Sequence, residues 1–316
     1  MKYLLIDFGA SLIKIAIYDS IYKNILNVET IPSPFIKNYK IKKSEVKSIL
    51  YNIVSKNNKV DGIVCCSILG GSYHKNYYYS WKNNPYKNKQ SCIVSGIFSD
   101  TPSFHIHCHF SNHGQDDLRI LGHIYNIPIY SCLGDTNCVI ESLPLNSNNV
   151  CINIGTGSQV IYLKNKSIHV DKYIPAGRAF LVYQKFFSSL GKDFFVLLNS
   201  VSIEDVIKSN LNIDINVFEQ SHEYNGGGII SNINEYNFSI DNLMSSILKK
   251  FVIQYKKYIF LSKKKEILLT GGIPKKIKIL PDLFKHFYPS HKITILSGEI
   301  ESTHLGMTKY IDKYLN

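Results

Sequence analysis

The sequence predicts an α/β protein made of two domains of related design. Three observations support this prediction. Strand and helix patterns alternate along the chain, and two β-rich segments punctuated by glycine begin at Lys2 and Val150, roughly 145 residues apart. The length of 316 residues is also sufficient for two domains. A boundary in residues 144–149 would give domains at residues 1–146 and 147–316.

The first domain begins with a β-meander, a set of strands joined by short turns. Lys2–Phe8 and Leu12–Asp19 are rich in β-branched and aromatic residues, and residues 25–31 supply a third strand. In Lys43–Lys56 the apolar residues recur at helical spacing. The mainly apolar run at residues 60–67 then predicts a buried strand, which makes this part of the chain an α/β layer.

The remaining elements continue the alternation of strands and helices. Before the boundary, the patterns predict a loop at 73–90, a helix at 115–125, a strand at 127–132 and a helix at 135–143. After it, they predict a second meander from 150–163, a long amphipathic helix at 240–261, strands at 266–270 and 293–296, and a closing helix at 301–314.

The composition narrows the class of protein. Hydrophobic residues make up 45% and charged residues 19% of the chain, which indicates a folded globular protein. The net charge is +12, yet Arg119 and Arg178 are the only arginines, while lysine is abundant throughout. Proteins that read nucleic acids usually rely on arginine forks, so the composition argues against nucleic acid as a partner and leaves attraction to anionic substrates open.

Apolar runs and cysteines also exclude some classes. No apolar run approaches the length needed to cross a bilayer. The apolar N-terminal segment is interrupted by Asp7 after too few residues for a signal peptide. The seven cysteines are scattered and contain no C-x-x-C pair, so neither a disulfide framework nor a zinc ribbon is indicated. We therefore expect a cytoplasmic protein with reduced thiols and no membrane partner; the sequence does not predict an oligomeric state.

The first turn, residues 9–11, lies among groups suited to phosphate chemistry. Asp7 ends the first strand, Gly9 and Ser11 lie in the turn, and Lys14 follows on the next strand. A carboxylate beside a glycine turn can hold a hydrated Mg²⁺ near a transferred phosphate. A polar hairpin turn is the alternative explanation for the same residues.

The second turn, residues 155–157, offers a possible phosphate cradle. Gly155, Thr156, Gly157 and Ser158 separate two β-rich runs, and their small side chains would let an oxyanion approach main-chain amides. The alternative is a β-hairpin in which the glycines only supply positive φ.

Two further segments combine a strand end with a special residue. Leu268–Thr270 runs into Gly271 and Gly272, where closely packed backbone could admit a base or ribose, although a strand ending in two glycines can also be a simple turn. Asp135 stands between a predicted strand and helix. It is either the N-cap of that helix or a carboxylate able to accept the proton of a substrate hydroxyl.

Taken together and in this order, these motifs resemble the FGGY carbohydrate kinases, which have the actin-like ATPase fold, with some likeness to the sedoheptulokinase branch. The resemblance extends through nearly the whole chain. It implies two domains of the actin and ribonuclease-H type with a nucleotide cleft between them, and an ATP-dependent and Mg²⁺-dependent kinase acting on a small sugar or polyol.

The resemblance also implies roles for individual residues. Asp135 would be the general base, Asp7 would hold the metal through water, and Gly271 and Gly272 would border the adenosine. The phosphate ligands implied are Gly9, Ser11, Lys14, Gly155, Thr156, Gly157 and Ser158. Residues 301–306 resemble the closing helix of the family.

Departures from the family pattern concentrate on the acceptor side. Ala10 stands where the family usually has Thr, and residues 67–71 read SILGG where the family commonly has Gln and His. Trp81 and Asn83 are the implied acceptor contacts, but the acid and the arginine of the family's Trp-x-Asp-x-Arg pattern are missing here. The sequence therefore does not identify the sugar.

Two other functions remain open at this point. A ROK-type sugar kinase shares the fold and a similar length, but no cysteine-rich zinc motif follows Gly155. A regulatory protein that binds a nucleotide or sugar without catalysis would explain the altered acceptor side.

His105, His107 and His109 could present imidazoles to a transition metal on one face of a strand. Residues 225–228 (NGGG) predict a flexible loop.

Overall fold

The computed structural model describes residues 1–9, 12–36, 40–67, 71–80, 85–86, 93–98, 120–130, 133–217, 227–296 and 301–315. The chain forms two compact units: unit 1 comprises Met1–Leu143 and Gly298–Asn316, and unit 2 comprises Pro144–Ser297. The last helix thus belongs to unit 1, whereas the sequence-based division placed it in the second domain. A division by position along the chain cannot show that the chain returns to its first unit.

Unit 1 is built on a mixed sheet. Its strands are β1 (Lys2–Phe8), β2 (Leu12–Asp19), β3 (Asn24–Pro32), β4 (Lys40–Lys42), β5 (Gly62–Ser67), β6 (Ser72–His74), β7 (Tyr77–Tyr79), β8 (Ile120–Ile124), β9 (Ile127–Tyr130) and β10 (Leu133–Gly134). Its helices are α1 (Lys43–Lys56), α2 (Ser95–Phe98), α3 (Asp135–Ser142) and, at the end of the chain, α11 (Ser302–Tyr314), with a short 3₁₀ turn at Pro34–Ile36. In the described residues the main sheet has the order β3-β2-β1-β5-β9-β8, with β10 paired to β5, and β4-β7-β6 form a small separate sheet.

Strand β1 is buried on both faces, and the side chains on each face pack into a different core. Leu4, Ile6 and Phe8 join the core covered by α1, whereas Tyr3 and Leu5 join the core covered by α3 and α11. Successive side chains of a strand point to opposite faces, so Asp7 shares the α3 and α11 face with Tyr3 and Leu5.

Unit 2 repeats the same sheet design. Its strands are β11 (Asn149–Ile154), β12 (Ser158–Lys164), β13 (Ser167–Ile174), β14 (Asn212–Asp214), β15 (Ile229–Ser231), β16 (Glu266–Thr270) and β17 (Lys292–Ile295). Its helices are α4 (Gly177–Ser189), α5 (Phe194–Ser200), α6 (Ile203–Lys208), α7 (Ile240–Ile253), α8 (Lys256–Ser262), α9 (Gly272–Lys276) and α10 (Leu280–Phe287). The main sheet has the order β13-β12-β11-β16-β17 over the described residues.

The two main sheets share the order and direction of five strands, β3-β2-β1-β5-β9 in unit 1 and β13-β12-β11-β16-β17 in unit 2, and unit 1 adds the antiparallel edge strand β8. In each, the three antiparallel strands of a meander are followed by one strand that pairs in parallel with the first strand of the meander, and a further strand pairs in parallel with that one. The internal duplication predicted from the two glycine turns is therefore present in the fold.

Three predicted elements differ from the structure. Residues 115–125 were expected to be helical, but residues 120–124 form strand β8, and residues 115–119 lie outside the described part of the chain. Tyr125 and Asn126 both have positive φ, as the two central residues of a type I′ hairpin do, and this turn pairs β8 with β9.

The predicted helix at 240–261 is divided into α7 and α8. The break falls at residues 254–255, where Tyr255 is fully buried and its hydroxyl bonds to Ser158. The predicted loop at 73–90 also contains strands β6 and β7. Among the described residues, no helix is long and apolar enough to span a membrane.

Candidate active site

Asp7 lies at the end of β1 and is 3% exposed. It pairs across the strands with Lys14, whose Nζ lies 3.8 Å from Asp7 Oδ2. Gly9 opens the first turn, where its amide donates to Leu12 O at 3.1 Å, and a Cβ on Gly9 would lie 2.6 Å from that oxygen. The turn therefore requires a residue without a side chain two positions after the carboxylate.

The first turn of α11 supplies further contacts to this pair. Thr303 Oγ1 donates to Asp7 Oδ2 at 2.9 Å, and Lys14 Nζ donates to Glu301 Oε2 at 2.9 Å. Asp7 Oδ1 is buried and has no hydrogen-bond partner among the described residues. One oxygen of the carboxylate is thus held by the protein, and the other remains available.

Charges in this region shift the pKa values of their neighbours. Burial lowers the pKa of Lys14, but the carboxylates of Asp7 and Glu301 outweigh that effect, so the pKa of Lys14 is raised overall and its ammonium is retained. His304 is fully buried, with its Nε2 3.4 Å from Lys14 O. Burial lowers the pKa of His304 despite the opposing effect of Asp7, so the ring is neutral near pH 7.

Asp135 is the first residue of α3, and Gly134 occupies the N-cap position. The N-cap explanation for this aspartate is therefore wrong. Its Oδ1 accepts hydrogen bonds from the amide of Thr136 at 2.6 Å and from the hydroxyl of Thr136 at 3.3 Å. Burial and then the negative charge of Asp7 raise the pKa of Asp135 to about 6, while the Thr136 bonds and Lys14 act in the opposite direction. A carboxylate with this pKa is a suitable proton acceptor near neutral pH.

In unit 2, the second turn closes the β11–β12 hairpin, with Ile154 opposite Ser158. Neither Gly155 nor Gly157 has a positive φ, so the need for left-handed backbone does not account for these glycines. Thr156 and Gly157 are exposed, and their amides donate to no other backbone group of the described chain. Exposed backbone amides can bind an anion where no side chain blocks its approach.

The start of α4 fixes the carbonyl groups of the second turn. The amide of Gly177 donates to Gly155 O at 3.1 Å, and the amide of Arg178 donates to Thr156 O at 2.7 Å. A Cβ on Gly177 would lie 2.5 Å from Gly155 O, so the helix approaches the turn with bare backbone. The turn carbonyls are thereby directed toward α4.

Ser158 is buried, and its contacts lie within the protein. Its Oγ donates to Asn153 O at 3.0 Å and accepts from Tyr255 Oη at 2.8 Å. The hydroxyl predicted from sequence as a phosphate ligand thus stabilises the second turn from its buried side.

The diglycine turn, Gly271–Gly272, follows β16 beside the second turn. Gly271 has φ +98°, and a Cβ there would overlap Ile154 O and lie 2.9 Å from Asn153 Oδ1. Gly272 begins α9 and has open space where a Cβ would be. Only the first of the two glycines is required by the backbone itself.

Some predicted site residues lie outside the described residues. They are Ser11 of the first turn, Trp81 and Asn83 of the predicted acceptor side, His105, His107 and His109, residues 68–70, and residues 225–226 of the NGGG segment. Within the described ranges, no group of three or more His, Cys, Asp or Glu side chains is arranged to hold a metal ion.

Sequence reasoning missed the partners that orient the carboxylates and the second turn. Thr303, Thr136 and Tyr255 each donate a hydroxyl to a predicted site residue. Thr136 follows Asp135 directly, so its contact had a local signal. Thr303 and Tyr255 act over 296 and 97 residues of sequence separation, and no local pattern could indicate such contacts.

Comparisons with known proteins show which solved structures have a similar fold. No family model matches the chain, and no curated protein matches it by sequence. Among solved structures, xylulose kinase from Lactobacillus acidophilus is similar with a TM-score of 0.69 at 12% identity, over 98% of this chain and 89% of that one. Glycerol kinase from Plasmodium falciparum is similar with a TM-score of 0.63 at 12% identity, over 97% and 88%.

The chain has the actin-like ATPase fold. Gluconate kinase from Lactobacillus acidophilus also shares it, with a TM-score of 0.69 at 11% identity over 99% of this chain and 89% of that one. Within this actin-like ATPase fold, Asp7 precedes Gly9 by two residues in unit 1, as Asn153 precedes Gly155 in unit 2. The two units thus present related turns with different polar residues.

Proposed function

We propose that this chain is an ATP-dependent kinase that transfers the γ-phosphate to a hydroxyl of a small sugar or polyol. The observation that carries the proposal is a pair of carboxylates in unit 1. Asp135 has a pKa of about 6, and Asp7, whose charge contributes to that value, keeps one buried oxygen without a partner among the described residues. The fold shared with xylulose, gluconate and glycerol kinases supports this proposal.

The residues of unit 1 fit a hydrated metal ion. Asp7 Oδ1 is a buried oxygen ligand with unused hydrogen-bonding capacity, and oxygen ligands reached through water suit Mg²⁺. When bound, Mg²⁺ would neutralise charge on the phosphates. Lys14 would bind phosphate oxygens together with Ser11, since the raised pKa of Lys14 keeps it cationic. The amide of Gly9 donates within the first turn, so Gly9, predicted as a further ligand, would contribute by leaving room for the phosphate.

The residues of unit 2 would bind the nucleotide. The amides of Thr156 and Gly157 would hold phosphate oxygens, whereas the amide of Gly155, predicted as a further ligand, donates to Gly157 O at 3.0 Å and closes the second turn. Gly271 and Gly272 would border the adenosine. Ser158, predicted earlier as a further ligand, would contribute by supporting this turn.

In the transfer step, the ionised Asp135 would accept the proton of the acceptor hydroxyl. The hydroxyl oxygen forms a bond to the γ-phosphorus, the bond from that phosphorus to the β–γ bridging oxygen breaks, and ADP leaves. The Thr136 amide and hydroxyl fix one carboxylate oxygen, which leaves the other to take the proton. Trp81 and Asn83 are the proposed acceptor contacts.

A regulatory protein that binds the nucleotide, with or without a sugar, but transfers no phosphate is the second candidate. The changed acceptor-side residues at 67–71 and 81–85 favour it, whereas the presence of both Asp7 and Asp135 favours catalysis. Both candidates require nucleotide binding, and they differ only in turnover.

The test is ADP formation with ATP and Mg²⁺ against a panel of pentuloses, hexoses, heptuloses and polyols. Wild type is compared with Asp135→Asn and with the control Glu141→Gln, which removes an exposed carboxylate from the same helix. Acceptor-dependent turnover that Asp135→Asn loses and Glu141→Gln keeps would support the kinase. ADP binding without turnover of any acceptor would favour the binding protein, and absence of nucleotide binding would contradict both.

A further inference from the structure

The first turn of α11 holds the carboxylate that is proposed to face the metal. Thr303 and Asp7 are 8% and 3% exposed, and the Thr303 hydroxyl donates to Asp7 Oδ2 at 2.9 Å. A hydrogen bond from a neutral donor to a buried carboxylate is short and strong compared with one between neutral groups. The terminal torsion of an aspartate is otherwise broad, so this bond sets the orientation of the carboxylate.

The nearby cation does not compete for the remaining oxygen. Lys14 Nζ is drawn to Glu301 at 2.9 Å, and its contact with Asp7 is the longer one of 3.8 Å to Oδ2. Oδ1, which has no partner among the described residues, is therefore the oxygen that is left for a ligand. Without the Thr303 hydroxyl, Oδ2 would lose its donor and the two oxygens would no longer be distinguished.

The helix that carries Thr303 is itself firmly seated. A Cβ on Gly306 would overlap Cys138 O, so α11 packs backbone against backbone on α3. The same α3 carries Asp135 at its first position. The position of Thr303 is thus tied to the helix that carries the proposed base.

We propose that Thr303 is a positioning residue that orients the Asp7 carboxylate so that Oδ1 is presented to the hydrated Mg²⁺ of the nucleotide complex. The inference rests on the proposed function, and it assigns to α11 a part in metal recognition. Thr303 touches neither substrate nor reacting atoms and acts through Asp7.

The test measures ADP affinity by calorimetry twice, once with saturating Mg²⁺ and once with EDTA. Thr303→Val removes the hydroxyl and keeps the shape, whereas Thr303→Ser keeps a hydroxyl. Thr308→Val is the matched control, because Thr308 is also 8% exposed on α11 and its hydroxyl donates to Leu305 O instead. Thermal melts check that each variant folds.

We expect Thr303→Val to weaken ADP binding about tenfold in Mg²⁺, which is the usual scale for a residue that orients a metal ligand, and to leave binding in EDTA unchanged. Thr303→Ser and Thr308→Val should bind as wild type does in both conditions. Equal weakening in both conditions would show a merely structural role and overturn the inference, as would no change in either.

The same experiment separates this inference from the proposed function. If wild type binds ADP but gains nothing from Mg²⁺, the positioning role is refuted while nucleotide binding stands. If wild type binds no ADP in either condition, the proposed function fails and the inference falls with it.

Discussion

Replacing Asp135 by Asn should stabilise the protein while it abolishes the proposed transfer. The folded state raises the pKa of Asp135 from the ordinary value of 3.8 to about 6, chiefly through burial. Between these two pKa values the folded chain keeps a proton that the unfolded chain has lost, so stability falls as pH rises through this window. Above pH 6 the folded wild type carries the full cost of the buried charge, whereas the neutral amide of the Asp135→Asn variant carries none.

The gain in stability expected for Asp135→Asn can be worked out from the pKa shift of Asp135. A difference of about 2 pKa units corresponds to about 3 kcal/mol at about 1.4 kcal/mol per unit. Because Asp135 is half-buried rather than sealed from water, solvent screening reduces this to about 1–2 kcal/mol. For a unit of this size such a gain raises Tm by about 4 °C.

The assay is thermal unfolding of wild type and Asp135→Asn at pH 8 and at pH 4.5. The variant should melt about 4 °C higher at pH 8, and most of that advantage should disappear at pH 4.5, where wild type is protonated. Asp205→Asn gives a contrast, because hydrogen bonds from Ser202 lower the pKa of Asp205. The ionised Asp205 is favoured in the folded chain, so removing its charge should not stabilise the protein. The Asp205→Asn variant should melt below wild type at pH 8 and also at pH 4.5. An Asp135→Asn variant that melts at or below wild type at pH 8 would refute the reasoning about buried charge.

Three other outcomes are expected. The kcat/KM for the acceptor should fall below pH about 6 with one proton taken up, because Asp135 must be ionised; a pH-rate profile flat down to about pH 5 would contradict its role. Gly271→Ala should cost at least about 2 kcal/mol in thermal unfolding, because the residue has positive φ and its Cβ would overlap a backbone oxygen, whereas Gly272→Ala should melt as wild type does. Tyr255→Phe removes the hydrogen bond to Ser158, so it should lower the free energy of unfolding by about 1 kcal/mol and weaken ADP binding several-fold. Tyr288→Phe removes a bond of the same 2.8 Å length to Val252 O, so it should cost as much stability and leave ADP binding unchanged.

The fold was largely predictable because the sheet strands carry strong local patterns. Strands β1 and β2 were predicted at the bounds that the structure gives, since their turn has glycine and their runs are rich in β-branched residues. The helix predicted at 115–125 failed because the pairing of β8 with β9 depends on the turn at Tyr125 and Asn126. Asn is common at positive φ but Tyr is not, so the pair carries only part of the signal of a type I′ turn. The return of α11 to unit 1 is a tertiary event that no local pattern records.

The residues of the candidate site could be proposed from sequence where one residue next to a turn carries the signal, and their roles stay predictions. Asp7, Gly9 and Gly271 could be singled out because each lies beside a turn at the end of a predicted strand, although a polar hairpin or a simple turn also explains such residues. The partners that set their geometry were not predictable in the same way. Thr303 is an ordinary residue in the first turn of a helix, and only the folded chain brings its hydroxyl to Asp7.

The duplicated sheets suggest why the two units take different parts in the proposed chemistry. In unit 1, Asp7 lies opposite Lys14 in the register of β1 and β2. In unit 2, the corresponding strands β11 and β12 place Asn153 opposite Gln159. The same position beside a glycine turn thus holds a charged pair in one unit and a neutral amide pair in the other. A carboxylate at the second turn would repel a phosphate bound to its amides, whereas Asn153 does not. Under the proposed function, the charged pair would serve the metal and the phosphates in unit 1, and the neutral pair would leave the amides of the second turn free to attract an anion in unit 2.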